Sequence, residues 1–400
     1  MKKIVIIPTY FKQVKFYLRM RKSLNYLGYD LEFYVYKLSL YLLLKKEKVN
    51  VIFIKKDNII KNLDIDEIII NKCVEYKAGQ MKYDECKLLY LAFLSCLEKN
   101  IVKKENIIFF IWNGSSIDAL AATSFVKKYK INALYFEVAN IPKKIFIDKK
   151  GTNAQSELYN NIRILDKYHF DENIYQNWKI TYLNNKLEKH VVPQKRSILD
   201  AFQMRYLIDI LGHIFITRLA FDKNFILTKI KELINNILYP LKYDIYNYKN
   251  KKYIFFPLQV SYDSQIVLNS SISLFEAFEK VLKYANKNNY DLVIKPHPQE
   301  CNYTALEKFL QHKNKFILLK DNTFSLMKYA EEVWTINSTV GLEALIMGKK
   351  VNVLGKALYK NFNEEYLKKY ISSYLLDIDF FGQEKINLND VKNILNRIEG

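Results

Sequence analysis

The residues with the most chemical potential sit in short polar turns that follow apolar runs. Val333-Trp334-Thr335-Ile336 leads at once into Asn337-Ser338-Thr339-Val340-Gly341-Leu342-Glu343. Asn, Ser and Thr where a strand stops and a helix begins supply hydroxyls beside free backbone N–H groups. That arrangement suits a bound phosphate, and it equally suits a plain helix cap. Gly341 favours the ligand, because in a chain with only 10 glycines one inside a first helical turn implies a close approach. A second turn, Lys295-Pro296-His297-Pro298, follows the apolar run Asp291 to Ile294. Its prolines stiffen the loop and hold His297 on an extended backbone. Beside Lys295, this imidazole suits donation to a phosphate or to a developing charge.

Four more turns carry candidate groups. Phe256-Pro257-Leu258 is followed by Gln259, Asp263, Ser264 and Gln265, where Asp263 could serve as nucleophile, base or helix cap. Phe136-Glu137 ends another apolar run and continues through Asn140 to Gly151-Thr152-Asn153. Glu137 suits general acid or base work, and it equally suits a solvated strand end. Asn113-Gly114 follows Phe110-Ile111-Trp112, and Gly355 follows Val351 to Leu354. Asp64-Ile65-Asp66 and Asp377-Ile378-Asp379 imitate the acidic pair of metal-dependent sugar transferases, but so short a pattern is common by chance. No metal site is expected. Glycine-rich dinucleotide loops, a Walker loop, a nucleophile elbow and HExxH are all missing. Dehydrogenases, P-loop NTPases and serine hydrolases are therefore disfavoured.

The elements that must position these turns alternate in the α/β manner. Strands are expected at Lys3 to Ile7, Leu31 to Tyr36, Val51 to Ile54, Asn106 to Ile111 and Ala133 to Glu137. Helical spacing fills Val14 to Tyr26, Tyr83 to Leu97 and Ile117 to Tyr129. The rhythm stops at 157–250, where long amphipathic stretches (Ser197 to Ile216, Asn224 to Leu238) suggest a helical insertion or linker. It resumes with strands at Tyr253 to Phe256, Asp291 to Ile294, Phe316 to Leu319, Val333 to Ile336 and Val351 to Leu354. The expected domains are 1–156, a linker at 157–250, a second domain at 251–360, and a helical tail at 361–400 packing back on the first. Two Rossmann-like α/β domains facing a cleft follow, with the polar turns at the carboxyl ends of the strands.

Composition narrows the class. Lys and Arg number 62 against 42 Asp and Glu, a formal charge of +20. Only seven of those cations are Arg, and the lysines are dispersed, so nucleic acid is not an expected partner. The four cysteines lack metal or CxxC spacing and read as reduced thiols of a cytosolic protein. The apolar start after Met1-Lys2-Lys3 is too short for a signal peptide and reads as a first strand. No run is long enough to span a bilayer, and Ile208 to Ala220 reads as a buried or interfacial helix.

Taken together, four segments resemble the capsule polysaccharide biosynthesis family, which includes retaining β-Kdo transferases. They are FEVANIPKKIFIDKKGTNAQSEL, FFPLQVSYDSQI, IKPHPQE and EVWTINSTVGLEALIMGKKVNVLGKALY, in the family's order over roughly 105–360. The resemblance implies a GT-B-like fold and a CMP-activated donor, CMP-β-Kdo in the best-known members. It implies transfer with retention and without a metal; no cofactor beyond the nucleotide sugar is expected. Asp263 would then be the nucleophile, Glu137 the acid/base and His297 a catalytic donor. Gln259, Ser264, Gln265, Lys295, Asn337, Ser338, Thr339, Gly341, Glu343 and Gly355 would line the donor side. Asn113, Gly114, Asn140 and Asn153 would line the acceptor side.

The chemistry suits these types: one carboxylate attacks the anomeric carbon and a second deprotonates the acceptor hydroxyl. One departure bears on the sugar and acceptor. Kdo-transferring relatives follow the Glu with an acidic residue, a Gly and an Arg-containing turn, where this chain has Val138-Ala139-Asn140 and Lys143-Lys144. Expected partners are a lipid or glycan acceptor and a capsule assembly or export complex at the inner face of the cytoplasmic membrane. The alternatives are a same-fold transferase using a CMP-sialic-type sugar or a CDP-polyol, and a non-catalytic basic protein binding nucleic acid or membrane.

Overall fold

Runs such as Ile4-Val5-Ile6 and Phe109-Phe110-Ile111 carry no polar side chain, so strands built from them must be covered on both faces. The structure, a computed structural model, describes residues 2–60, 63, 67–188, 204–219, 234–235, 237–260, 263–300 and 303–399. It divides into two compact units. The first comprises Met1–Asn161, Leu199–Asp222 and Tyr374–Gly400, and the second Ile162–Ile198 and Lys223–Ser373.

The first unit holds β1 (Lys2–Ile6), β2 (Tyr29–Val35), β3 (Asn50–Phe53), β4 (Ile107–Trp112), β5 (Asn132–Val138) and β6 (Ile145–Asp148). Their order in the sheet is β3-β2-β1-β4-β5-β6. All pairs are parallel except β5 with β6, which runs antiparallel with Val138 opposite Ile145. The second unit holds β7 (Tyr253–Pro257), β8 (Asp291–Lys295), β9 (Ile317–Leu318), β10 (Glu332–Thr335) and β11 (Lys350–Val353). Their order is β11-β10-β7-β8-β9, all parallel. Numbered within each unit, the five parallel strands follow the same 3-2-1-4-5 order. The α/β class expected from the sequence is therefore present as two Rossmann-like sheets, the pair from which a GT-B-like chain is built. In each sheet the strand order reverses at one place, between β1 and β4 in the first and between β7 and β10 in the second.

All ten expected strands form; β6 is additional. Its four residues lie between Lys143-Lys144 and Lys149-Lys150, too short a run to announce a strand. The helix Leu38–Lys46 is also additional, because its nearly unbroken apolar sequence shows little periodicity. The segment 157–250 is not one linker. Its helix Glu172–Glu188 belongs to the second unit and its helix Met204–Gly212 to the first. Most of Asn224 to Leu238 lies outside the described residues. The tail divides too, with residues from Tyr374 onward in the first unit.

That tail completes a core. Ile378, Phe380, Ile386, Val391 and Ile394 are buried with Ile4, Ile6, Phe16, Tyr17, Phe110 and Phe136. Arg19 donates to the Asp379 carbonyl at 2.7 Å and the Glu384 carbonyl at 2.5 Å. The Phe380 ring lies 4.6 Å from Trp112 and 5.4 Å from Phe16, centroid to centroid. Phe380→Ala leaves a cavity under β4 and should cost about 3 kcal/mol. Urea unfolding of the variant measures that loss; an unchanged midpoint and slope would show that the tail adds nothing to this core.

Candidate functional site

In the second unit the polar turns flank the place where the strand order reverses. β7 ends at Pro257, and the Leu258 N–H adds one more bond to the Lys295 carbonyl at 2.9 Å. Gln259 is then buried and faces the end of β10. Its Nε2 donates to Asn337 Oδ1 at 3.0 Å, and its Oε1 accepts from the Asn337 N–H at 3.2 Å. Thr335 Oγ1 adds a 3.3 Å bond to the same oxygen. Asn337 Nδ2 donates onward to the Gln265 carbonyl at 2.7 Å, and Asn269 Nδ2 to Gln265 Oε1 at 3.0 Å. These buried amides satisfy one another, which removes the penalty of burying them. Gln259, Gln265 and Asn337, expected on the donor side, are thereby brought together as a frame.

Two helix starts rise from this frame. Asp263 caps Ser264–Asn269, its Oδ1 accepting from the Gln265 N–H at 2.8 Å. The cap fixes one carboxylate oxygen, and the group has a second to offer. Ser338 caps Thr339–Ile346 through a 3.2 Å bond from the Val340 N–H. The cap reading left open by the sequence is thus present at both residues, and a capping side chain keeps further acceptor capacity.

His297 stands after β8, next to β7. Its Nδ1 accepts from the Gln299 N–H at 3.2 Å, so the neutral ring carries its proton on Nε2. Burial pushes its pKa below the ordinary value; the Asp263 carboxylate opposes that shift and Lys295 adds to it. His297 thus senses the charge of Asp263. Lys295 Nζ donates to the Asp321 carbonyl at 2.6 Å and Thr323 Oγ1 at 2.9 Å, which ties it toward the far edge of the sheet.

Two expectations in this unit change. Gly341 does admit a close approach, but the approaching group is internal. A Cβ there would sit 2.4 Å from the Tyr359 hydroxyl, which donates to the Ser338 carbonyl. At Gly355 a Cβ would lie 2.8 Å from Ile336 Cγ2, again a packing contact. Glu343 is buried and bound to Tyr182 Oη at 3.0 Å and Lys186 Nζ at 2.7 Å, so its carboxylate pins Glu172–Glu188. These three residues support the turn from behind.

In the first unit Glu137, near the end of β5, accepts from Asn113 Nδ2 at 3.2 Å and Asn153 Nδ2 at 2.6 Å. Three residues named separately from the sequence form one cluster. Asn113 and Asn153 both adopt positive φ, which Asn tolerates better than most residues. Gly114 does so as well, with the Tyr135 ring where a Cβ would point. Thr152 Oγ1 closes the turn on the Asn113 carbonyl at 2.6 Å. Asn140 lies in the turn between β5 and β6.

Sequence reasoning passed over Asp148, on which this cluster depends. It is buried at the end of β6 and accepts from the N–H groups of Lys150, Gly151, Glu157 and Leu158 at 2.7 to 3.2 Å. The available signal was a carboxylate followed by Lys-Lys-Gly-Thr, an Asx-type turn. A second polar group also went unnoticed at the reversal between β1 and β4. Thr9 Oγ1 donates to the buried Asp118 at 2.6 Å, and Lys37 Nζ to the Thr9 carbonyl at 2.9 Å. Nearby, burial and then the Asp118 charge hold the Glu75 carboxyl well above the usual range. Of the two acidic pairs, Asp64 and Asp66 lie outside the described residues. Asp377 binds Lys144 at 2.5 Å, and Asp379 Oδ1 accepts from the Phe381 N–H at 2.8 Å.

With this geometry in view, the likenesses to known proteins can be placed. A family model described as capsule polysaccharide biosynthesis protein matches residues 115–362. Protein FixF of Sinorhizobium fredii is 34% identical over 110 residues, 27% of this chain and 27% of FixF. The capsule polysaccharide export protein KpsS of Escherichia coli is 32% identical over 126 residues, 28% of this chain and 32% of KpsS. The matched part thus spans less than a third of either relative. Among solved structures, the β-Kdo 2,7 transferase of Thermosulfurimonas dismutans KpsC is similar at 13% identity and a TM-score of 0.45. That alignment covers 100% of this chain and 99% of the other.

Three measurements test the geometry. His297 should titrate below the free-imidazole value of about 6.5, and Asp263→Asn should lower it further by removing the favourable charge. Proton NMR of the imidazole, assigned with His297→Gln, reads both; a rise on Asp263→Asn would contradict the pairing. Because the folded state resists protonation, stability should fall as pH drops through the unfolded histidine's range, less so in His297→Gln. Separately, Asp148→Ala orphans several buried N–H groups and should cost about 3 kcal/mol in chemical unfolding.

Proposed function

Because this chain belongs to the capsule polysaccharide biosynthesis protein family, we propose that it is a glycosyltransferase moving Kdo from CMP-β-Kdo, with retention, to a lipid or glycan acceptor. The observation that carries the reading is the arrangement at the β7–β10 reversal. There a capping carboxylate, Asp263, electrostatically coupled to an imidazole, shares a frame with a Ser-capped helix start. A carboxylate nucleophile, a proton donor and a phosphate seat are the three groups that such a first step needs.

In the first step Asp263 attacks the anomeric carbon, and the bond to the CMP phosphate breaks. The His297 Nε2–H and the N–H groups at the start of Thr339–Ile346 receive the charge that develops on that phosphate. In the second step the acceptor hydroxyl displaces Asp263, restoring the original configuration, and gives its proton to a carboxylate base, the role that the family resemblance implies for Glu137. The two asparagines donate to Glu137 and fix the orientation of its carboxylate. Neutral His297 fits this role, since burial keeps its Nε2–H in place without a full charge. The departure after Glu137 makes the acceptor the least constrained partner. We place the work at the inner face of the cytoplasmic membrane, beside a capsule assembly or export complex. Among the described residues no helix is long and apolar enough to cross a bilayer.

Incubation of Glu137→Gln with CMP-Kdo should accumulate a Kdo adduct on Asp263, detectable by mass spectrometry of the peptide. CMP should raise the Tm, and His297→Ala should reduce that rise while leaving the apo Tm close to that of the parent chain. Turnover of CMP-sialic acid or a CDP-polyol in place of CMP-Kdo would reassign the donor. A chain that no cytidine nucleotide stabilises would not be this transferase.

A further inference from the structure

Among the described residues, the helix Met204–Gly212 and the wider turn His213–Thr217 that continues it are seated on the first unit through Ser39, Leu38 and Phe11. Asp209 accepts from the Ser39 N–H at 2.8 Å and from Ser39 Oγ at 2.9 Å. Gly212 is buried, and a Cβ there would lie 2.5 Å from Leu38 Cβ, so the two helices meet almost backbone to backbone. The Arg205 guanidinium stacks on the Phe11 ring at 3.7 Å. The opposite side carries Leu207, Leu211, Ile214 and Phe215, spaced four, three and one apart, which places them on one stripe. They are 55%, 53%, 54% and 71% exposed. Leu42 of the adjoining helix Leu38–Lys46 is 50% exposed as well. A helix that buries its Gly and half-buries its Asp while presenting Leu, Ile and Phe runs against the pattern that folding alone would select.

The charges around the stripe indicate what covers it. Arg205, Arg218, Lys45 and Lys46 are exposed. The one carboxylate of 204–219, Asp209, is bound to Ser39, and Leu38–Lys46 contains none. An apolar stripe rimmed by cations, on a helix already folded and anchored, matches an anionic bilayer surface. A symmetric pairing with a second copy would set the same cations against their counterparts.

We propose that 204–217 is a membrane-docking helix that lies in the headgroup layer of an anionic leaflet, with Leu207, Leu211, Ile214 and Phe215 among the acyl chains. This deepens the membrane-side reading above and rests on it for the biological setting. Vesicle binding itself requires no donor, so it stands or falls separately from transfer activity.

The full chain is sedimented with vesicles of phosphatidylserine and phosphatidylcholine in equal parts, and with phosphatidylcholine alone. It should bind the anionic vesicles, more weakly as salt rises, and hardly at all the neutral ones. Leu211→Ser combined with Phe215→Ser should weaken binding by at least about tenfold. Both side chains point outward, so the Tm should hold, and a melting curve checks it. Lys45→Glu with Lys46→Glu should weaken the anionic preference by an independent route. Anionic-vesicle binding unchanged in the serine variant, or no binding by the parent chain, overturns the proposal. So does a parent dimer that becomes monomeric on serine substitution, since the stripe would then be a contact between copies.

Discussion

A parallel strand has helices on both sides and therefore almost no place for a polar side chain along its length. That constraint shapes both sheets. All five residues of β7 are buried, as are the first five of β4. Polar chemistry is left to the strand ends, and among those ends the reversal of strand order opens the one place where neighbouring loops diverge. The turns after β7 and β10 meet there because no strand stands between them. Gln259 and Asn337 then convert adjacency into rigidity, each amide meeting the other's requirements at 3.0 and 3.2 Å.

This frame changes the meaning of the scarce glycines. Some of them sit where backbone and side chain come very close, and others, such as Gly28 and Gly348, serve a positive φ with open space beside them. At Gly341 and Gly355 the close neighbours are Tyr359 and Ile336. The Tyr359 hydroxyl holds the Ser338 carbonyl, so it braces the turn that presents the capped helix start. Glu343 performs a similar service at a distance by holding Tyr182 and Lys186. Pre-organisation of this kind is what electrostatic stabilisation of a leaving group requires, since donors that must first reorganise lose most of their advantage.

The first unit reaches a comparable result by different means. Glu137 is held by two asparagines in left-handed conformations, and their turns are tied down by Thr152 and by the several bonds to Asp148. Here a single buried carboxylate does what the amide frame does in the second unit. The high formal charge has a local expression as well: the cations bordering the Leu207–Phe215 stripe stand without competing exposed carboxylates on those two helices. Elsewhere some lysines are paired, as in Lys144 with Asp377 and Lys350 with Glu332.

The α/β class, every strand expected of it, and the turns that carry Asp263, His297, Ser338 and Glu137 were legible in the sequence, because continuous apolar runs and the polar residues that end them are local signals. The pairing of Asn113 and Asn153 on Glu137 was not legible. It brings together residues up to forty positions apart, and only the return of β6 alongside β5 makes them neighbours. The role of Gly341 was not legible either, since glycine scarcity reports a close approach and leaves open what approaches. The sequence set the tail against the first domain, but which of its residues join that core, and the outward turn of the stripe on 204–217, were decided by tertiary structure. Periodicity shows that a helix has an apolar side. Which side is buried depends on contacts such as Asp209 with Ser39 and Gly212 with Leu38, between residues remote in sequence, and those contacts exist only once the chain has closed on itself.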